Sequence, residues 1–73
     1  MPKLPRISGQ DCIKALERLG FSQVRQRGSH VVMRRGNRGC VVPLHREMKI
    51  GTLHGVLKQA GVNPDEFIEA LRG

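Results

Sequence analysis

The chain has 73 residues and a mass of 8.1 kDa. A domain of this size buries only about 60% of the surface that its unfolded chain exposes, so residues 1–73 are expected to form one domain with one small core, which excludes most large enzymes. Thirteen Lys and Arg residues against six Asp and Glu residues give a formal net charge of +7, which points to a polyanionic partner: nucleic acid, anionic lipid or an acidic protein. The excess of positive charge is unevenly distributed along the chain, because no acidic residue lies between Arg18 and Arg46.

The two cysteines, Cys12 and Cys40, form no CxxC pair and lie in apolar patterns. Free buried thiols in a reducing compartment are the favoured interpretation, and a single disulfide is the alternative. The N-terminal segment lacks the apolar run of a signal peptide, and no stretch of the sequence has the length and polarity of a membrane span. We therefore expect a cytoplasmic protein with no membrane partner.

The first predicted element is a helix over residues 9–19. Ser8 and Asp11 stand at the spacing of a capping box, with Asp in place of the usual Glu. Apolar residues then recur at helical spacing at Cys12, Ile13, Leu16 and Leu19. Gly20 is expected to end the helix in a left-handed conformation.

Three short strands are predicted next. They span about residues 21–27, 29–35 and 39–43. The middle strand alternates with a period of two, which directs Val31 and Met33 towards the helices. The solvent face of that strand then carries His30, Val32 and Arg34. Short turns join consecutive strands, so the three should pair as an antiparallel meander.

Two helices are predicted to follow a loop at residues 44–50. Thr52 is the expected N-cap of the first helix, which Gly61 ends. Asn63 is the expected N-cap of the second, with Pro64 at its first position. The order α-β-β-β-α-α predicts an α+β fold, in which helices cover one face of a three-stranded antiparallel sheet.

Several kinds of catalytic site do not suit these residue types. Metal-dependent phosphoryl chemistry needs converging carboxylates, and the basic middle of the chain has none. A zinc site needs four Cys or His ligands at short spacings, whereas these residues are scattered along the chain. The glycines form no phosphate-binding motif. We therefore expect neither a metal nor a cofactor.

A histidine on a basic sheet is the remaining catalytic candidate. RNA carries its own nucleophile, the 2′-hydroxyl, so a metal-free ribonuclease needs a general base, a cation to stabilise the phosphorane, and a surface that holds the backbone. His30, preceded by Gly28 and Ser29, is the candidate base, and a surface histidine without function is the alternative. His45 is a second candidate acid or phosphate contact, with a loop-stabilising role as the alternative. The basic residues expected to hold the RNA backbone are Arg25, Arg27, Arg34, Arg35, Arg38 and Lys49.

Five short segments of the sequence form a recognisable pattern. They are Leu19-Gly20-Phe21, residues 24–30, residues 41–45, Gly51-Thr52-Leu53 and residues 56–61. With these segments the sequence closely resembles the HicA toxins, from about Ile7 to Leu71. The most specific part of the resemblance is the run Arg-Gln-Arg-Gly-Ser-His at 25–30. The resemblance implies an α-β-β-β-α core similar to a double-stranded-RNA-binding domain, a toxin that cleaves mRNA, and a cognate HicB antitoxin. It also implies that the essential histidine of the family falls on His30, and another recurrent histidine on His45.

The expected function is thus a metal-independent endoribonuclease toxin. In the expected mechanism His30 deprotonates the 2′-hydroxyl for in-line attack on the adjacent phosphate. Gly28 allows a tight turn beside the phosphate, and Ser29 hydrogen-bonds the phosphate or orients the imidazole. Two candidates remain for the acid that protonates the leaving group, His45 and water.

Two functions from other classes compete with this expectation. A non-catalytic double-stranded-RNA-binding module should depend on the arginines rather than on His30. A module that binds only an acidic protein should cause no growth arrest when it is expressed without its partner. The protein-binding module overlaps with the toxin hypothesis, because a HicB-like antitoxin is expected to cover the same basic face.

Overall fold

The computed structural model describes residues 4–73, in which one helix, three strands and two further helices follow one another. They are α1 (Gly9–Arg18), β1 (Ser22–Arg27), β2 (His30–Arg35), β3 (Arg38–Pro43), α2 (Ile50–Ala60) and α3 (Pro64–Arg72). This order confirms the predicted α+β fold. Residues 1–3 lie outside the described residues. They belong to the predicted domain and to the N-terminal segment that lacks the apolar run of a signal peptide.

Helix α1 begins where the capping pattern predicts. The Ser8 side chain accepts a hydrogen bond of 3.1 Å from the backbone N–H of Asp11. The helix ends one residue earlier than predicted, because Leu19 is its C-cap and Gly20 follows with a φ of +97°. Glycine adopts this left-handed conformation without the steric cost that a Cβ would add.

The sheet is an antiparallel meander in the order β1-β2-β3, as predicted. Two-residue turns, Gly28-Ser29 and Gly36-Asn37, connect the strands. Both glycines have positive φ values, +57° and +60°, whereas Ser29 and Asn37 do not. This is the pattern of a type II′ turn, whose twist matches that of the flanking strands.

One face of the sheet is covered by helices. Val31 pairs with Val42, and Met33 pairs with Cys40, and all four side chains are buried in the core. The helices contribute Leu16, Leu53, Leu57 and Phe67, among others, to the same core. On the other face of the sheet His30 and Arg34 are exposed and Val32 is half-buried. The alternation predicted for β2 is therefore confirmed.

Helix α2 starts earlier than predicted. Its N-cap is Lys49, so the prediction of Thr52 as the N-cap is wrong. The preceding residue, Met48, is buried, and its backbone N–H donates a 2.8 Å hydrogen bond to the carbonyl of Ile7. These contacts with a distant segment fix where the helix begins, although Lys49 makes no side-chain capping bond. Gly61 ends the helix with a φ of +71°, as predicted.

Helix α3 packs its apolar side against the core. The Asn63 side chain caps it by accepting a 2.8 Å hydrogen bond from the backbone N–H of Asp65, as predicted. Phe67 is fully buried. At the other end of α3 the Arg18 guanidinium donates a 2.7 Å hydrogen bond to the carbonyl of Ala70, which attaches the helix to α1.

Candidate nucleic-acid interface

The face of the sheet that points away from the helices is basic. We call it the open face. Cross-strand partners lie on the same face of a sheet, so the register defines its members. They are Ser22, Arg25, Arg27, His30, Val32, Arg34, Gly39, Val41 and Pro43. Three arginines and one histidine occur among them without a single carboxylate, so the open face favours an anionic ligand.

A β-bulge in β1 puts two of the three arginines on this face. Ser22 pairs with Arg34 and Arg25 pairs with Val32, with a register shift between Gln23 and Arg25. Val24 is the extra residue of this bulge. With strict alternation from Ser22, Arg25 and Arg27 would point towards the helices. No feature of the sequence indicated the bulge.

His30 is the first residue of β2 and is exposed. Its cross-strand partners are Arg27 on β1 and Pro43 on β3. The side chains of directly opposed residues have Cβ atoms about 5 Å apart, so the imidazole and the Arg27 guanidinium can reach one phosphate group. The structure thus places His30 on the same face as three of the predicted arginines, Arg25, Arg27 and Arg34.

The Gly28-Ser29 turn that precedes His30 is held from two sides. The backbone N–H of Leu44 donates a 2.7 Å hydrogen bond to the carbonyl of Ser29. The side-chain Nε2 of Gln26 donates a 3.1 Å hydrogen bond to the carbonyl of Gly28. Sequence reasoning did not identify Gln26, because an exposed glutamine in a strand carries no signal of such a contact.

The segment with His45 is anchored by the start of α1. The backbone N–H of Gly9 donates a 2.9 Å hydrogen bond to the carbonyl of His45. A Cβ on Gly9 would overlap with the carbonyl oxygen of Pro43, so only glycine permits this close approach. His45 itself is exposed. Since Leu44 bonds to Ser29, the backbones of both histidine segments meet at the same end of the sheet.

Two of the predicted RNA-binding arginines, Arg35 and Arg38, do not lie on the open face. Arg35 donates a 2.7 Å hydrogen bond to the carbonyl of Leu19, and its guanidinium stands 4.7 Å from the centroid of the Phe21 ring. The guanidinium of Arg38 packs beside Gly61 at the end of α2. Both residues therefore point to the helix side of the sheet. Lys49 is exposed at the N-cap of α2, outside the sheet.

A shallow depression of about 650 Å³ occupies the middle of the open face. Val32 and Val41 form part of its lining, together with Arg25 and Arg34. Val24 also lines the depression, and its exposed fraction is 56%. Apolar side chains exposed together and surrounded by polar ones mark surfaces that bind another molecule.

The two cysteines are free thiols in the core, as expected, and form no disulfide. Burial raises the pKa of Cys12 to about 12, with a smaller contribution from Cys40. Burial likewise raises the pKa of Cys40 to about 11. Both thiols are therefore protonated and poorly nucleophilic at neutral pH.

Within residues 4–73 no three His, Cys, Asp or Glu side chains come close enough together to hold a metal ion. None of the helices in the described part of the chain is both long and apolar enough to cross a membrane.

Comparison with known families gives a match, whereas no curated protein matches the chain. The family is described as "HicA toxin of bacterial toxin-antitoxin", and its model matches residues 9–62. The match covers well over half of the chain and includes α1, the whole sheet and α2. The chain therefore belongs to the HicA toxin family, as its resemblance implied, and has the role of a toxin that acts alongside a cognate antitoxin.

Proposed function

We propose that this toxin is a metal-independent endoribonuclease that cleaves mRNA, with His30 as its general base. The observation that supports this most is the position of His30. It is an exposed imidazole directly opposite Arg27 on a face that also carries Arg25 and Arg34 and has no carboxylate. A base, a cation and a phosphate-binding surface are what cleavage through the 2′-hydroxyl requires.

The proposed reaction begins at the ribose on the 5′ side of the scissile phosphate. His30 removes the proton of its 2′-hydroxyl, and the oxygen attacks the adjacent phosphorus in line with the departing 5′-oxygen. The P–O5′ bond breaks, and the 5′-oxygen takes a proton from His45 or from water. The products are a 2′,3′-cyclic phosphate and a 5′-hydroxyl.

The cations of the open face stabilise the charge that develops on the phosphate oxygens. Arg27 is proposed to bind the scissile phosphate, because it is the cross-strand partner of His30. Arg25 is proposed to bind the neighbouring phosphate, since residues two positions apart in a strand are about 7 Å apart. Arg34, four positions from His30 on the same face, is proposed to bind a phosphate further along the RNA. Lys49 is assigned a peripheral phosphate contact.

Arg35 and Arg38 are given no part in RNA binding. The Arg35 guanidinium is already hydrogen-bonded at the end of α1, and the Arg38 guanidinium packs at the end of α2. Either contact would have to break before the side chain could reach a ligand on the open face.

The antitoxin is proposed to be HicB-like and to cover the open face. Val24, Val32 and Val41 offer an apolar centre, and the arginines offer a rim that suits acidic side chains. An antitoxin on this surface would exclude RNA from His30. Since mRNA is the proposed substrate and both thiols are free, the cytoplasm is the proposed site of action.

The test is cleavage of RNA by the purified toxin in excess EDTA, with native protein beside His30→Ala and His54→Ala. His54 is the matched control, because it is an exposed histidine on α2. We expect cleavage by the native protein and by His54→Ala, a 2′,3′-cyclic or 3′-phosphate at the new end, and a loss of at least about 100-fold in His30→Ala. A 3′-hydroxyl product would contradict the mechanism.

Measuring RNA binding as well as cleavage with the same proteins separates the toxin from a non-catalytic RNA-binding module. If the native protein and His30→Ala both bind RNA tightly and neither cleaves it, the binding module is the correct function.

A further inference from the structure

The side chain of Gln26 fixes the direction of one peptide group beside His30. Its Nε2 donates a 3.1 Å hydrogen bond to the carbonyl oxygen of Gly28. Gln26 is the cross-strand partner of Val31, which is buried in the core. The Gln26 side chain therefore stands on the helix side of the sheet and holds the Gly28 carbonyl towards that side.

The direction of this carbonyl sets the direction of the next N–H. No cis peptide bond occurs in residues 4–73, so the C=O of Gly28 and the N–H of Ser29 point in opposite directions. With the carbonyl held on the helix side, the N–H of Ser29 points to the open face. His30, the next residue, lies on that same face.

We propose that Gln26 is a positioning residue that holds the Gly28–Ser29 peptide so that the backbone N–H of Ser29 donates a hydrogen bond to the phosphate attacked beside His30. The proposal rests on the proposed ribonuclease function and adds a neutral donor to the arginines. A preorganised backbone N–H directed at developing negative charge stabilises a transition state without any movement at the moment of reaction.

The alternative orientation of this peptide would hinder the reaction. Type I′ and type II′ turns differ by a flip of their central peptide. Gly28 tolerates both turns, whereas a type I′ turn would also require a positive φ at Ser29, which the structure does not show. After a flip the carbonyl of Gly28 would face the open side and repel the phosphate. The hydrogen bond from Gln26 stabilises the productive orientation, and the bond from Leu44 to the Ser29 carbonyl restrains the other end of the turn.

The kinetic test compares Gln26→Ala with Gln23→Ala. Gln23 is the matched control, because it lies on the same strand and the same face but makes no side-chain hydrogen bond within the described part of the chain. We expect kcat to fall about tenfold in Gln26→Ala with KM changed less than twofold, since the donor acts mainly in the transition state. Gln23→Ala should match the native protein in both constants. Equal constants for native and Gln26→Ala would overturn the proposal.

A second readout does not depend on cleavage. The ¹H–¹⁵N spectrum of the full-length toxin is recorded with and without a 2′-O-methyl RNA oligonucleotide, which binds but lacks the attacking hydroxyl. We expect the Ser29 amide proton to shift downfield in the native protein and in Gln23→Ala. In Gln26→Ala this shift should be lost while the other signals of the sheet remain in place.

The two readouts separate the failure of this proposal from failure of the proposed function. If the Ser29 amide does not respond in the native protein while residues of the open face do, the positioning role is wrong even if His30 is catalytic. If His30→Ala still cleaves RNA, the proposed role of His30 as general base is wrong, and the Ser29 response still decides whether Gln26 orients an anion-binding peptide.

Discussion

The backbone N–H of Leu44 donates a 2.7 Å hydrogen bond to the carbonyl oxygen of Ser29. This bond lies one step beyond the pairing of His30 with Pro43, so it extends the contact between β2 and β3 past the last strand residues. It joins the turn before His30 to the segment that carries His45. The two histidine segments are therefore held as one unit at this end of the sheet.

The first prediction separates the arginines by the face on which they lie. Arg27→Gln should weaken binding of a 2′-O-methyl RNA and reduce the slope of log K against log salt by about 1, because one phosphate contact is lost. Arg38→Gln should leave both quantities unchanged, since Arg38 packs beside Gly61. Fluorescence anisotropy at several salt concentrations measures both. Equal losses in the two variants would contradict the assignment of faces.

The second prediction concerns the close approach of α1 to the end of β3. Gly9→Ala should destabilise the fold by about 1–3 kcal/mol, because the new Cβ meets the backbone of Pro43 and forces it to move. Gly51→Ala is the control. It lies in the first turn of α2, where nothing stands within 4 Å of the new Cβ, and should be neutral or stabilising by up to about 1 kcal/mol.

Urea unfolding monitored by circular dichroism gives both free energies of unfolding. Because the N–H of Gly9 also holds the carbonyl of His45, Gly9→Ala should lower RNA cleavage as well. A Gly9→Ala variant as stable as Gly51→Ala would show that the contact with Pro43 relaxes freely.

The third prediction is that α3 is needed for stability, although it lies beyond the residues that the family model matches. Phe67 is fully buried, so Phe67→Ala should cost about 3–5 kcal/mol. For a domain of this size such a loss is a large part of the total stability. Glu69→Ala, on the exposed side of α3, should change stability by less than about 0.5 kcal/mol. A small loss in Phe67→Ala, measured by urea unfolding, would mean that α3 adds little to the core.

The fourth prediction follows from the buried thiols. Their folded pKa values of about 12 for Cys12 and about 11 for Cys40 lie above the ordinary value of 9.0. The neutral thiols therefore contribute their full stability below about pH 9. That stability is lost as the pH rises from about 9 towards 11–12, by up to about 1.4 kcal/mol per pH unit for each thiol.

The measurement is the free energy of unfolding at pH 7.5, 9 and 10 in the presence of a reductant. The native protein should lose more stability over this range than a Cys12→Ala/Cys40→Ala variant, in which only the other titrating groups contribute. Parallel pH profiles for the two proteins would contradict the effect of burial on the thiol pKa values.

Local patterns were sufficient to predict most of the backbone. Ser8 and Asn63 act as N-caps, and Gly20 and Gly61 end helices, because each uses a conformation or a hydrogen bond available within a few residues. The alternation around Val31 predicted which face of β2 is buried. The sequence also indicated His30 as the candidate base, and its assignment as the catalytic residue stays a prediction.

The sequence by itself therefore determined the order of the elements, the buried side of β2 and the family. The tertiary structure decided which basic residues share a face and which contacts hold the turn before His30. The bulge at Val24 turns Arg25 and Arg27 to the open face. Arg35 pairs with Arg38 on the helix side, where their guanidinium groups contact the ends of α1 and α2. These features depend on strand register and on packing between distant segments, whereas capping, turns and periodicity depend on neighbours along the chain.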